Sequence, residues 1–305
     1  MQNSGFLYER KRAWVTFFVL VMLIPPGVKA APEERTVAQE DSIDALAEAS
    51  DFITASLLVV EPGEKLYTCY GHAAIRLQNP ANQLDFCFTF EMVPGFLEQM
   101  KFLFSTAKSG YSVFPTEQFL EQYRQEHRGV TEYVLNLSPR QEQELWRRLD
   151  GEIMRGPVWD YNFLKNNCSS MCVYAIESSL QGEHIEYHEL HPALTGTYTD
   201  LLEYISRNSP WSELFLKMRF IGKGGQTGEL NDKLAPELLP GAWKKALFVD
   251  SAGNSRSVIA GEPRELLPCS DAQPASLITP QRALMLLILI VFVILILFHL
   301  KKKRL

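Results

Sequence analysis

Residues 70–90 read Tyr70-Gly71-His72-Ala73-Ala74-Ile75-Arg76-Leu77-Gln78-Asn79-Pro80-Ala81-Asn82-Gln83-Leu84-Asp85-Phe86-Cys87-Phe88-Thr89-Phe90. Two apolar runs, Ala73–Leu77 and Leu84–Phe90, flank Asn79-Pro80-Ala81-Asn82, whose residue types favour a turn, so the segment is predicted to be an antiparallel hairpin. Working outward, Thr54–Val60 is an apolar, β-branched run stopped by Glu61-Pro62-Gly63 and reads as a strand, as does Thr131–Leu135. Helices are expected near Asp41–Ser50, from Thr116 as N-cap to about Glu126, and after Ser138-Pro139-Arg140-Gln141. In the last of these Ser138 caps, Pro139 takes the first helical position and Gln141 can bond back. Leu145, Leu149 and Ile153 give that helix an apolar face, and Val173, Ile176 and Leu180 do the same for residues 168–180. A helix at Asp200–Asn208, a glycine-rich loop at 222–228 and a helical patch around 236–248 follow. The class is α+β, one domain with an antiparallel sheet.

The ends of the 305-residue chain carry a different signal. Glu9-Arg10-Lys11-Arg12 precedes an apolar run from Ala13 to Ile24, then Pro25-Pro26 and Val28-Lys29-Ala30. That run is about half of the roughly 20 residues that cross a bilayer, so a signal peptide cleaved after Ala30 is expected, with an uncleaved anchor as the alternative. From Ala283 to Leu300 the sequence is apolar apart from His299, and Lys301-Lys302-Lys303-Arg304 follows, as for a single C-terminal transmembrane helix with a cytoplasmic basic tail. A buried core helix is the other reading of 283–300. The expected organisation is signal peptide 1–30, linker 31–50, periplasmic catalytic domain 51–270, transmembrane helix 283–300 and tail 301–305.

Between the two ends stand 21 Lys and Arg against 35 Asp and Glu, a formal charge of about −14, which disfavours binding to phosphodiester backbones. Five cysteines, at 69, 87, 168, 172 and 269, lie in this exported part, and an odd count leaves at least one thiol unpaired in a monomer.

Asn166-Asn167-Cys168-Ser169-Ser170 places Cys168 at the start of a helix, and Tyr70-Gly71-His72 places His72 at the start of a strand. Oriented N–H groups and the helix dipole favour thiolate at such a position, and a nearby imidazolium favours it further. The same N–H groups can bind the oxyanion formed when a thiolate attacks an acyl carbonyl. A Cys and a His far apart in sequence and joined in space are what nucleophilic catalysis needs. Two other readings use the same residues. Cys69, Cys168, Cys172 and His72 can be imagined around zinc, although short Cys-x-x-Cys knuckles are absent, and Cys69 can pair with Cys172 as a disulfide.

The stretch Tyr70-Gly71-His72-Ala73-Ala74-Ile75-Arg76 resembles the His box of the Lnb N-terminal periplasmic domain family, lipoprotein N-acyltransferases. Further features fall in that family's order: Phe119 to Arg124, Arg128-Gly129-Val130-Thr131-Glu132, Leu135-Asn136-Leu137-Ser138, and Tyr161-Asn162-Phe163-Leu164-Lys165-Asn166-Asn167-Cys168. Gly222 to Lys233 and Glu237-Leu238-Leu239-Pro240 resemble its closing segment, so the likeness spans about residues 50–250.

The resemblance implies a circularly permuted papain-like fold, with the His strand ahead of the Cys helix. Cys168 would be the nucleophile and His72 its base. Asn162 would stand where an oxyanion-hole amide belongs, although the family commonly has Asp there, and Tyr161 would orient the site through its hydroxyl. Thr89 and Glu91 fall roughly opposite His72 across the hairpin, and Glu91 suits an imidazolium partner. Many relatives have Thr-Thr-Arg after the cysteine where this chain has Ser169-Ser170-Met171. The implied activity is transfer of a fatty acyl group, through a Cys168 thioester, to the N-terminal amine of bacterial lipoproteins. The acyl donor would be a membrane phospholipid or a diacylglyceryl lipoprotein, the lipoprotein N-terminal cysteine would be the acceptor, and no cofactor is implied. The stretch 96–114, with Phe96, Phe102, Leu103 and Phe104, is a candidate acyl groove or ordinary core. Two rival functions remain: a papain-like peptidoglycan amidase or peptidase, and a non-catalytic membrane-tethered binding protein.

Overall fold

Seven strands lie side by side in one antiparallel sheet: β1 (Thr54–Val60), β2 (His72–Asn79), β3 (Leu84–Met92), β4 (Lys108–Pro115), β5 (Val130–Val134), β6 (Trp159–Asp160) and β10 (Arg264–Leu267), in the order β10-β5-β1-β2-β3-β4-β6 among the described residues. The computed structural model describes residues 53–63, 68, 70–93, 97–98, 101, 107–164, 166–222, 224–230, 234–268 and 279–302, with side chains to 296. The expected signal peptide, the linker, the helix near Asp41–Ser50, Cys69, Cys269, Phe96 and Phe102–Phe104 lie outside these residues. Strands β7 (His184–Glu186), β8 (Leu247–Val249) and β9 (Ser255–Ser257) make a small second sheet. The helices are α1 (Thr116–Gln125), α2 (Pro139–Arg155), α3 (Cys168–Glu177), α4 (Pro192–Thr195), α5 (Tyr198–Ser206), α6 (Pro210–Arg219), α7 (Leu239–Lys244) and α8 (Pro280–Lys302).

The expected α+β class and the hairpin are present. β2 and β3 pair from Ala74↔Thr89 to Asn79↔Leu84, closed by a 3-10 turn at Pro80–Asn82 whose last residue is followed by Gln83 at φ 56°. Alternation along β1, β2 and β3 sends side chains to opposite faces. Leu57, Ala73, Ile75, Phe88 and Phe90 pack on one face with Leu145 and Leu149 of α2 and Val173 and Ile176 of α3. Leu58, Val60, Ala74 and Cys87 pack on the other with Phe119 and Tyr123 of α1. Ser138 caps α2 with the full reciprocal capping box.

Some elements differ from the sequence reading. Thr116 begins α1 but does not cap it; its hydroxyl instead donates to Asp85 Oδ1 at 2.5 Å. The segment 108–115 is a strand, and of the helical patch expected around 236–248 residues 239–244 are helical while its end runs into the strand Leu247–Val249. α8 is helical through Lys302, and its large apolar side chains from Leu284 to Ile296 are 42–63% exposed. Among the described residues no helix is long and apolar enough to cross a membrane, so the fold does not by itself establish the expected span.

A buried ion network ties the strands on the α1 face. Arg76 donates to both oxygens of Asp85 (2.8 and 2.6 Å) and to Glu132 Oε1 (2.9 Å), and Arg264 donates to Glu132 Oε2 (2.6 Å). Glu132 is 2% exposed, so its charge has lost its water and depends on these guanidinium groups. Removing one partner of such a cluster leaves an uncompensated buried charge. Arg76→Met is expected to lower the unfolding free energy by about 3 kcal/mol, read by denaturant titration of the full chain in detergent micelles, whereas Arg264→Met, which removes a largely exposed partner, costs about 1 kcal/mol or less.

Candidate functional site

A cavity of about 330 Å³ opens at one end of the large sheet, where the start of β2, the end of β3, the turn after α1 and the loop entering α3 converge. Gly71 shapes its floor: it sits at φ +79°, and an added Cβ would lie 2.7 Å from the Val60 carbonyl oxygen. Only glycine lets the chain pass β1 this closely before turning into β2. His72 then enters the strand on the α1 face and lines the cavity.

His72 Nε2 lies 2.5 Å from Thr89 Oγ1, because β2 and β3 are in register with Ala74 opposite Thr89. Either group can donate in this contact, according to the imidazole tautomer; in the tautomer with Nε2–H donating to the threonine hydroxyl, Nδ1 is the basic nitrogen. Thr89, of the two residues expected across the hairpin, is the His72 partner. Glu91 lines the same cavity, but its pKa is raised by burial against a lowering hydrogen bond from Ser112.

Cys168 reaches the cavity from the other side of the sheet. Asn167 caps α3: its Oδ1 accepts from the Ser170 N–H and the Ser169 hydroxyl, both at 2.9 Å, and its Nδ2 donates to the Phe163 carbonyl at 3.0 Å. The cap presents Cys168 as the first helical residue, 8% exposed, with the Ala73, Ser169 and Cys168 N–H groups directed at its sulfur. Ala73 is the neighbour of His72, so the thiol rests at the strand entry that carries the imidazole. Tyr111 of β4 donates to the Met171 carbonyl at 2.7 Å and holds α3 to the sheet.

Burial decides the protonation states. It pushes the Cys168 thiol up to about 11, outweighing the three N–H groups and the Arg128 charge that act to lower it. Burial, then the Arg128 charge, pushes His72 down to about 3. The thiolate expected at a helix N-terminus is therefore not the resting state, because loss of water costs the anion more than these dipoles return. At neutral pH the pair is a thiol and a neutral imidazole.

Of the other expected site residues, Tyr161 lines the cavity, and burial followed by the nearby Cys168 raises its phenol. Asn162 does not line it; its side-chain oxygen accepts from the Leu164 N–H at 2.9 Å and closes a turn. Cys87, Cys168 and Cys172 are free thiols, so the suggested Cys69–Cys172 bridge is not formed. Among the described residues no group of three or more His, Cys, Asp or Glu is placed to hold a metal.

Arg128, quoted above only as part of an ordered motif, also lines the cavity. Two residues after α1, His127 takes the left-handed region (φ 53°), and the Arg128 N–H returns to the Tyr123 carbonyl at 3.0 Å. This turn lays the guanidinium over the Tyr123 ring, 4.9 Å from its centroid.

Fold and cavity define an α+β protein in which a helix-initial cysteine and a strand-initial histidine share one buried chamber. The chain belongs to the Lnb N-terminal periplasmic domain family, whose profile matches residues 45–204 and so takes in His72, Thr89, Arg128 and Cys168. Membership gives it a periplasmic setting, a lipoprotein-related role and an acyltransferase-like character. No curated protein and no solved structure matches the chain.

The two pKa directions set a measurable pH dependence. Alkylation of Cys168 by iodoacetamide, followed by peptide mapping, should accelerate about tenfold per pH unit from about pH 6 to about pH 9, because the thiolate fraction is still rising there. A plateau beginning near pH 5 would instead indicate a preformed thiolate–imidazolium pair.

Proposed function

We propose that the protein is a membrane-anchored periplasmic acyltransferase that moves a fatty acyl group through a Cys168 thioester to the N-terminal amine of bacterial lipoproteins. The observation that carries this reading is the meeting of Cys168 and His72 in one cavity whose remaining wall includes Phe90, Phe163, Leu201 and Ile205. Such a wall suits an acyl chain better than a polar cell-wall peptide.

In the first half-reaction His72 Nδ1 takes the thiol proton as Cys168 Sγ attacks an ester carbonyl of the donor, a phospholipid or a diacylglyceryl lipoprotein. N–H groups at the start of α3 receive the oxyanion. Its collapse breaks the C–O bond, the alcohol leaves with the proton from His72, and the acyl group remains as a thioester. In the second half the lipoprotein α-amine attacks the thioester, His72 accepts the amine proton and returns it to the departing sulfur. An amide forms and the thiol is restored. Because the resting pair is neutral, the proton moves with the attack, as in general-base catalysis. Tyr161 closes the chamber beside the sulfur, and Asn162 supports the loop that delivers Cys168. The order of His strand before Cys helix agrees with a circularly permuted papain-like arrangement.

Two features support a bilayer location. The apolar side chains of α8 are exposed, and the sequence continues apolar to Leu300 before Lys301-Lys302-Lys303-Arg304. α6, which adjoins α8, buries Ser212 and Leu216 but turns Trp211, Leu214 and Met218 outward on its opposite side. We assign α8 as the anchor, residues 1–30 as the export signal, 31–50 as the linker and 51–270 as the catalytic domain, with the stripe on α6 resting against lipid.

Expression in a host deficient in lipoprotein N-acylation tests this function. The wild-type chain should add a third acyl chain to N-terminal lipopeptides read by mass spectrometry. Cys168→Ala and His72→Ala should add none, and Thr89→Val should slow the addition by about tenfold. Lipopeptides that stay diacylated while muropeptides are cleaved would replace this reading with a peptidoglycan amidase.

A further inference from the structure

Arg128 is 4% exposed, and its guanidinium hydrogen bonds are unevenly used. Nε donates to the Glu61 carbonyl at 2.7 Å and Nη1 to Glu126 Oε2 at 2.8 Å, whereas Nη2 is buried with no partner. A buried donor of a permanently charged group has a strong unmet demand for an acceptor. The site of that demand is the reaction chamber, since Arg128 lines it with Cys168 and His72, and its charge is felt at both.

Resting on the acyl-transfer reading of this chamber, we infer that Arg128 is the anion-recognition group of the donor subsite, and that the donor is a glycerophospholipid held by its phosphodiester. The planar guanidinium fork matches two phosphate oxygens when Nη1 and Nη2 act together. Glu126 occupies Nη1 at rest, and its side chain is 29% exposed against 3% for Arg128, so its carboxylate is the partner free to swing out and admit the phosphate. Glu126 is then a placeholder for the ligand anion. The stacked Tyr123 ring and the Glu61 carbonyl keep the guanidinium plane fixed while the exchange occurs. In a glycerophospholipid the phosphate and the acyl esters share one glycerol unit, so an anion anchored at Arg128 holds an ester within the dyad's chamber. The diacylglyceryl group of a lipoprotein carries no anion at that place and leaves Nη2 without its acceptor. Among the described residues lining the chamber, the other ionisable groups are His72, held neutral by burial, the carboxyls of Glu91 and Glu126, the phenols of Tyr70, Tyr123 and Tyr161, and the Cys168 thiol, so Arg128 is the cation the phosphate meets.

The test is binding to full-length Cys168→Ala protein in detergent micelles, by calorimetry, of a short-chain dialkyl ether analogue of phosphatidylglycerol and of the corresponding dialkylglycerol, neither of which can donate an acyl group. The charged ether should bind at least about tenfold more tightly than the neutral one. Arg128→Gln should abolish that preference, and Glu126→Gln, which removes the competing carboxylate, should increase it. Equal binding of the two ethers overturns the inference without needing any Arg128 variant to fold, and so does a preference that Glu126→Gln weakens. Inorganic phosphate binding as tightly as the charged ether would make this a free-phosphate site and overturn the lipid assignment. The readout involves no turnover. A charge preference alongside absent acyl transfer would therefore sink the proposed function and keep the anion site, and acyl transfer without the preference would do the reverse.

Discussion

The register of β2 against β3 is the constraint on which the chamber depends. Ala74 opposite Thr89 puts the threonine hydroxyl 2.5 Å from His72 Nε2. A slip of one residue would turn His72 to the α3 face and Arg76 with it. The register is held from the far end of the same strand, where Arg76 grips Asp85 of β3 with two hydrogen bonds and Glu132 of β5 with a third. The charged cluster thus ties β2 to β3 and β5 in this one pairing. Gly71 completes the constraint, since no other residue lets the chain clear Val60 and enter β2 where it does.

The second constraint is the burial of the two dyad side chains. Burial works against both ions of the pair and leaves a thiol and an imidazole. A low-dielectric chamber also strengthens the effect of Arg128 on any charge formed there. The exposed apolar side chains of α6 and α8 support the proposed placement of the domain at a lipid surface.

Local signals made much of this legible in sequence. The Asn-Pro turn between two apolar runs gave the hairpin, and Ser138-Pro139 with Gln141 gave the start of α2. Asn167 before Cys168 marked a helix that begins on a thiol. What stayed hidden needed three dimensions. Glu91 looked like the better partner for His72 on charge, but the partner is Thr89; Glu91 lies on the same face of β3 and hydrogen-bonds with Ser112 instead. Asn162 was expected beside the oxyanion from its position in the motif, and position in sequence cannot show that it is absent from the cavity lining. Strands of three residues such as β7, β8 and β9 carry no readable period. Arg128 stood in plain sight after α1, yet its role depends on the left-handed turn at His127 that folds it over Tyr123. The sequence cue was a helix ending in His-Arg-Gly ahead of a strand.

The central claim is a covalent one and has a direct measurement. The full chain, incubated with phospholipid vesicles and no lipoprotein acceptor, is digested under conditions that preserve thioesters and its Cys168 peptide is weighed by mass spectrometry. The account predicts one fatty acyl group on Cys168, released by neutral hydroxylamine and absent from Cys168→Ala. An unmodified Cys168 peptide under conditions where the wild-type chain still N-acylates lipoproteins would contradict it.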